Sequence, residues 1–182
     1  MITEIDFAIL NFIQNNLRTQ FGDFIMPLIT RLGDGGLIWI VTTVVLICIP
    51  KYRKTGVIMG VTLLLNAIFY GLVLKPLIAR PRPFIQNPLI ELLINPPSGF
   101  SFPSGHTASS FTAAAILFCL KNKLRIPSCV LAILIAFSRL YLYVHFPSDV
   151  FAGMILGIVF SIICYVASGK FCRIEKTFNK ED

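Results

Sequence analysis

Five apolar segments constrain the fold of this chain more than any other feature. They cover residues 34–50, 55–75, 104–120, 126–143 and 148–169. A helix needs about 20 mainly apolar residues to cross a bilayer, and most of these segments approach or exceed that length. Charged residues make up 14% of the chain, against about 25% in a soluble domain. The sequence predicts an all-α integral membrane bundle of about five transmembrane helices, formed by a single domain over residues 1–182.

Residues 1–33 are expected to form interfacial N-terminal helices ahead of a transmembrane core at 34–169. Residues 2–17 have the periodicity of an amphipathic helix, whose apolar side chains lie near one face: Ile5, Ile9, Phe12, Ile13 and Leu17. Residues 24–32 are too short to span and contain Pro27 and Arg31, which predicts a short interfacial or re-entrant piece. Glu4 and Asp6 stand where a signal peptide carries Lys or Arg, so no cleaved targeting sequence is expected.

Basic residues between the segments predict the orientation in the membrane. They follow the first, third and fifth segments: Lys51, Arg53, Lys54, Lys121, Lys123, Arg125, Lys170, Arg173, Lys176 and Lys180. By the positive-inside rule this side is cytoplasmic, which makes 170–182 a cytoplasmic tail and places the loop 76–103 and the turn 144–147 outside. The expected location is the plasma or inner membrane of the cell. The net charge of +7 does not indicate nucleic-acid binding, because no basic helical face is present.

Four ionisable residues lie at the outer ends of these segments, where burial is costly. Lys75 ends the second segment, His106 opens the third, Arg139 is late in the fourth and Asp149 opens the fifth. Each has an ordinary structural explanation when taken singly: Lys75 can extend to the interface, Arg139 can pair with Asp149, and a histidine can satisfy a helix end. Four at one depth indicate a functional site.

Three sequence blocks carry these residues, at 75–83, 103–106 and 138–149. They read Lys, six residues, Arg-Pro; then Pro-Ser-Gly-His; then Ser-Arg, five residues, His, three residues, Asp. This pattern is similar to the signature of the type 2 phosphatidic acid phosphatase superfamily. The resemblance implies that the matching positions take the family's roles, and these positions are Lys75, Arg82, Ser104, Gly105, His106, Arg139, His145 and Asp149.

The chemistry of these residue types agrees with phosphoryl transfer. Lys75, Arg82 and Arg139 supply fixed positive charge for the equatorial phosphate oxygens, so neither a metal nor another cofactor is required. Ser104 is a plausible N-cap of the following helix, and Gly105 allows the free backbone N–H groups to approach the phosphate. The alternative is that Pro-Ser-Gly merely caps a helix.

Both histidines can be given a role in a covalent mechanism. The neutral imidazole of His145 attacks phosphorus while Asp149 accepts its other N–H, which fixes the tautomer and stabilises the phosphohistidine. His106 protonates the departing lipid oxygen and later deprotonates the water that cleaves the intermediate. Arg80 is left open between a contact near the site and a residue that stiffens the loop.

The predicted function is hydrolysis of a lipid phosphate or diphosphate at the outer membrane face, with the lipid tail between the helices. Undecaprenyl diphosphate, converted to undecaprenyl phosphate, is the leading substrate by analogy with compact bacterial enzymes. Phosphatidylglycerol phosphate, phosphatidic acid and lipid A 1-phosphate are the alternatives. A non-catalytic anion transporter is a remote alternative, since it gives no reason for the His145–Asp149 pair and the chain has no internal repeat. The oligomeric state is not predicted.

Overall fold

All the regular secondary structure in the described part of the chain is helical. The computed structural model describes residues 2–178, with side chains described for residues 3–169. The helices are α1 (Ile2–Phe12), α2 (Gln20–Leu32), α3 (Leu37–Cys48), α4 (Arg53–Ile68), α5 (Lys75–Ile78), α6 (Pro83–Gln86), α7 (Gly105–Cys119), α8 (Arg125–Tyr141) and α9 (Pro147–Phe178). A π-helical segment, Phe69–Leu74, joins α4 to α5, and the predicted all-α fold is confirmed.

Apolar side chains cover the outside of the bundle, whereas many polar and charged side chains are buried. Val41, Leu64, Ile133 and Ile163 are each about half exposed or more. Asp149 is 0% exposed. A water-soluble domain buries apolar surface and exposes charge, so this reversed distribution indicates that lipid surrounds the helices.

Two helical runs in the described part are individually long and apolar enough to cross a membrane, Pro50–Gln86 and Pro147–Gly169. The pair α2 and α3 makes a third when counted as one span with a bend of 44°. Helices α7 and α8, of 15 and 17 residues, are shorter than the roughly 20 residues of a typical span. The predicted count of five spans therefore stays a prediction.

Helix α7 lies at the centre of the bundle and packs against α9, α8 and α4. Its small residues permit close approach, since Ala108, Ala113 and Ala114 are almost fully buried. On α9, Gly153 and Gly157 face the backbone of α7, where there is no room for a Cβ atom. Small residues at such positions let membrane helices pack through their backbones. The contact sets the start of α7 beside the start of α9.

Helix α1 exposes most of the apolar face that the sequence predicted and buries another, whereas Ile13, which follows α1, is buried. Ile5, Ile9 and Phe12 are 58%, 41% and 56% exposed. Asp6 and Leu10, one turn apart, are buried against the rest of the molecule. The exposed face suits the interfacial position expected for residues 1–33. The buried face brings one carboxylate, that of Asp6, into the bundle.

The helix bounds differ from the predicted segments mainly near the N-terminus and at the end of the chain. The piece predicted at 24–32 begins earlier, because Thr19 caps α2 by accepting from Gly22 N–H at 3.0 Å. The glycine-rich stretch does interrupt the helix, with Gly35 and Gly36 at positive φ between α2 and α3. The backbone of α9 continues to Phe178. The cytoplasmic tail predicted at 170–182 lies outside the described side chains.

Candidate active site

The site is built where four chain segments meet at one end of the bundle. The segment after α4 brings Lys75 and Arg82, the start of α7 brings Ser104 to His106, the end of α8 brings Arg139, and the turn into α9 brings His145 and Asp149. Ser104 is the N-cap of α7 and accepts from the backbone N–H of Thr107 at 3.4 Å. Its own N–H donates to the Asp149 carbonyl oxygen at 3.1 Å, which ties the two helix starts together.

His145 lies in the tight turn between α8 and α9 and is 2% exposed. Its Nδ1 faces Asp149 Oδ2 at 3.6 Å, longer than a hydrogen bond, and lies 3.4 Å from the Ser101 hydroxyl. Its Nε2 lies 3.1 Å from Arg82 Nη1, so arginine donates to the ring nitrogen. Burial, helped by the charges of Arg139 and Arg82 and opposed by Asp149, lowers the pKa of His145 to about 3. The imidazole is therefore neutral at physiological pH, with the Nε2 lone pair directed at an arginine.

Asp149 is held from several directions. One carboxylate oxygen accepts from Arg80 Nη1 at 2.6 Å. The other accepts from the Ser101 hydroxyl and from the backbone N–H of Phe146, the latter at 2.9 Å. The pairing of Asp149 with Arg139, left open by the sequence, is not among its contacts in the described residues. Arg80, in the loop between α5 and α6, is the partner instead.

Two buried arginines lack an anionic partner among residues 3–169. Arg82 is 3% exposed and donates to the carbonyl oxygens of Val144, Gly99 and Ser98 at 2.9 to 3.1 Å. Arg139 is 2% exposed and donates to the Thr30 hydroxyl at 2.6 Å, while its Nε has no hydrogen-bond partner. Uncompensated buried cations are costly, which indicates that an anion completes the site.

His106 stands between two cavities. A mainly apolar cavity of about 530 Å³ runs between α3, α4 and α7 and has Lys75, Gly105 and His106 among its lining residues. A more polar cavity of about 860 Å³ is lined by His106, Arg139 and the loop after α6. The loop after α6 therefore borders the site with part of its length. A Cβ atom on Gly105 would meet no atom within 4 Å, so this backbone is open to a ligand.

Several contacts around the site were not anticipated from the sequence. Asp34 Oδ1 lies 2.9 Å from His106 Nε2. Ser101 joins Asp149, Thr30 holds Arg139, and Asp6 holds Arg80. Each pair is separated by 48 residues or more along the chain, so no local spacing reveals it. Asp6 alone could be suspected from its local sequence, because it lies four residues before Leu10 and therefore on the same face of α1, which is buried.

No group of three or more His, Cys, Asp or Glu side chains that could hold a metal ion occurs among the described residues. The donors gathered here are arginine, lysine, imidazole and hydroxyl groups. Such donors suit phosphate oxygens rather than a hard divalent cation, which prefers carboxylate and carbonyl oxygens.

The part of the sequence that forms this site matches a known protein family. The model of the PAP2 superfamily matches residues 55–172, a range that contains all three motif blocks. The chain belongs to the PAP2 superfamily. It is accordingly a membrane-embedded phosphatase, and the resemblance inferred from the motifs is confirmed.

Curated and solved PAP2 proteins resemble this one over most of its length. The undecaprenyl-diphosphatase of Sulfolobus acidocaldarius is 33% identical over 174 residues, which cover 93% of this chain and 81% of the relative. The lipid A 4'-phosphatase of Bacteroides thetaiotaomicron is 32% identical over 86% of this chain and 73% of its own. The crystal structure of a transmembrane PAP2 type phosphatidylglycerolphosphate phosphatase from Bacillus subtilis superposes with a TM-score of 0.71 at 28% identity, covering 93% of this chain and 87% of that one.

Proposed function

We propose that this PAP2 protein hydrolyses undecaprenyl diphosphate to undecaprenyl phosphate and orthophosphate at the outer membrane face, through a phosphohistidine on His145. The observation that carries a phosphoryl-transfer site is the pair of buried arginines, Arg82 and Arg139, which have no carboxylate partner in residues 3–169. The terminal phosphate supplies the missing negative charge. Lys75 adds a third cation, and Ser104 and Gly105 add donors at the start of α7.

The reaction proceeds in two displacements at phosphorus. The Nε2 lone pair of His145 forms a bond to the terminal phosphorus, and the bond from phosphorus to the bridging oxygen breaks. Protonated His106 gives its proton to that oxygen, and the lipid monophosphate leaves. His106 then takes a proton from water, whose oxygen attacks the phosphohistidine and restores neutral His145 with release of orthophosphate. Asp149 orients His145 and stabilises its positive charge.

The cavities support a lipid substrate. The apolar cavity between α3, α4 and α7 can hold the first part of a tail, with Lys75 and His106 at its polar end. The polar cavity on the other side of His106 gives water and the released phosphate a separate route. The relatives named above act on different lipids at similar identity, so the choice of undecaprenyl diphosphate rests on the Sulfolobus acidocaldarius relative and on the sequence argument.

The orientation is a further part of this proposal. The turns 49–52 and 120–124 lie at the helix ends opposite to the site, because α3 and α7 both begin at the site and run away from it. Both turns border the basic clusters at Lys51 and Lys121. The positive-inside rule then puts the site on the extracytoplasmic side. In a variant without the native cysteines, Glu91→Cys should react with an impermeant thiol reagent in intact cells, whereas Lys123→Cys should be protected. The reverse pattern would refute the orientation.

Phosphate release by purified protein in mixed micelles tests the chemistry. We expect release from undecaprenyl diphosphate to survive excess EDTA and to be lost in His145→Ala, while Lys123→Ala at the opposite end retains the wild-type rate. Acid-labile, base-stable phosphate on the protein should appear in wild type and be missing from His145→Ala. Activity persisting in His145→Ala would refute the covalent mechanism.

Substrate choice is tested with equal mole fractions of four lipids in the same micelles. These are undecaprenyl diphosphate, phosphatidylglycerol phosphate, phosphatidic acid and lipid A 1-phosphate. Initial phosphate release should be fastest from undecaprenyl diphosphate. A tenfold preference for any other lipid would overturn this substrate while leaving the phosphatase chemistry intact.

A further inference from the structure

Arg80 bridges two carboxylates from opposite ends of the chain. Its Nη1 donates to Asp149 Oδ1 at 2.6 Å, and its Nη2 donates to Asp6 Oδ2 at 2.7 Å. Its guanidinium lies over the Phe146 ring at 3.9 Å from the centroid. Asp6 and Asp149 are 3% and 0% exposed. A guanidinium fixed on both sides and stacked on a ring cannot rotate freely, so its position determines that of its partners.

Asp6 also holds the start of α9 directly. Its Oδ1 accepts from the backbone N–H of Ser148 at 2.9 Å, and its Oδ2 accepts from the Ser148 hydroxyl. Ser148 precedes Asp149, and its hydroxyl oxygen additionally accepts from Arg80 Nη1 at 2.7 Å. The Asp6 carboxylate thereby contacts Ser148 directly and Asp149 through Arg80.

The orientation of Asp149 follows from these contacts. Because Arg80 occupies Oδ1, the other oxygen is turned toward His145 and the Ser101 hydroxyl. Without Arg80, the Asp149 carboxylate would keep the Ser101 hydroxyl and the Phe146 N–H as donors to Oδ2 but would lose the side-chain donor that fixes Oδ1. The arginine therefore completes the set of donors that holds the carboxylate plane beside His145.

The charge balance gives Asp6 a role of its own. Arg80 alone beside Asp149 would neutralise the carboxylate that has to stabilise positive charge on His145. Asp6 supplies a second negative charge to the same guanidinium, so the three groups together retain one negative charge facing the histidine. The compensation is strong because all three groups lie in a poorly hydrated site.

We propose that Asp6, on the interfacial helix α1, and Arg80 are positioning residues for the phosphoryl-transfer step, acting through Asp149 on the nucleophile His145. This inference rests on the proposed role of His145 as nucleophile. Helix α1 is thus part of the active site, although its other face, with Ile5 and Phe12, is exposed to the bilayer interface. The helix that meets the membrane surface and the carboxylate behind the nucleophile form one rigid unit.

A double-mutant cycle measured on the formation of phosphohistidine tests this coupling. Asp6→Asn should slow single-turnover phosphoenzyme formation about tenfold, equivalent to about 1.4 kcal/mol, and leave KM within about twofold. Arg80→Gln should slow it by at least as much. The combination of both changes should be clearly less slow than the product of the two single effects, because Asp6 acts largely through the arginine. Asp6→Glu keeps the charge and should retain at least a third of the wild-type rate.

Asp23→Asn is the control, since Asp23 on α2 likewise pairs with an arginine, Arg18, and accepts from the Tyr141 hydroxyl at the end of α8, although its side chain is 32% exposed against 4% for Asp6. It should change the unfolding temperature without changing the rate. Multiplicative effects in the cycle, or a wild-type rate in Asp6→Asn, would show that Asp6 only anchors α1 and would overturn the inference. If Asp6→Asn unfolds in detergent, Asp6→Glu takes its place in the test. A rate of phosphoenzyme formation in Asp6→Glu as low as that in Arg80→Gln would then overturn the inference. Failure of the proposed function is separate, because His145→Ala would then retain activity.

Discussion

The contact between α7 and α9 allows a quantitative test of the packing that assembles the site. A Cβ atom placed on Gly157 would lie 2.6 Å from the Ala108 carbonyl oxygen and 3.1 Å from the Thr112 nitrogen. Ordinary contact begins at 3.4 Å, so Gly157→Ala forces the two backbones apart by about 0.8 Å. Neither clashing atom belongs to a flexible side chain, and the strain cannot be relieved by a rotamer change.

The cost of this displacement can be estimated from overpacked cores, where such substitutions destabilise by about 1–3 kcal/mol. For a chain of this size each kcal/mol lowers the unfolding temperature by roughly 2–4 °C, which gives a loss of about 2–12 °C. Activity should fall as well, because the same interface carries the bond between Ser104 N–H and the Asp149 carbonyl oxygen. Separation of the helices lengthens this 3.1 Å bond and moves the start of α7, where we propose that phosphate binds, away from Asp149.

Thermal unfolding of purified protein in one detergent, followed alongside phosphate release, measures both effects. Gly169→Ala on the same helix is the control, since a Cβ there meets no atom within 4 Å. It should keep the wild-type unfolding temperature or raise it slightly, because alanine favours a helix over glycine. A Gly157→Ala variant that unfolds within about 1 °C of wild type would refute the packing argument.

Three further outcomes follow from the site. The pKa of His145 is lowered to about 3 in the folded protein, so the unfolded chain binds a proton more readily and stability falls as the pH drops from about 6.5 toward 3. The unfolding temperature of His145→Asn should therefore depend less steeply on pH in this window than that of wild type. Equal slopes would contradict the shift. Asp34→Asn should lower phosphate release only about two- to fivefold, because the Asp34 side chain is 61% exposed and solvent weakens its contact with His106. His106→Ala should lower it about a hundred- to ten-thousand-fold, and equal losses would contradict the separate roles. Ser101→Ala should slow single-turnover phosphoenzyme formation about tenfold by freeing Asp149, and an unchanged rate would exclude that contact from the mechanism.

The helices of the core could be predicted closely because they combine uniform apolarity with clear end signals. The predicted segment at 104–120 corresponds to α7 (Gly105–Cys119), where Pro103 and Ser104 mark the start. The segment at 126–143 corresponds to α8 (Arg125–Tyr141). The N-terminal part was harder, since Pro27 and the glycines at 33–36 break the pattern without indicating how α2 and α3 lie relative to each other.

The motif residues can be read from the sequence, whereas most of the residues that contact them cannot. The spacing of His145 and Asp149 is local, one helical turn, and can be read directly. Ser101 and Asp34 reach their partners across 48 and 72 residues of chain. A single serine or aspartate in a loop is common, so only the folded backbone shows which one meets the site.

The uncompensated arginines link stability to function in this protein. Arg82 and Arg139 are almost completely buried, yet Asp149 is already committed to Arg80, which has Asp6 as well. Among residues 3–169, these two guanidinium groups therefore have no carboxylate within ion-pair distance. Such a site is costly without an anion, and a phosphoryl group in transfer, whose charge is spread over its equatorial oxygens, can supply one. A carboxylate placed beside Arg139 would occupy the same guanidinium and compete with the phosphate that we propose it binds.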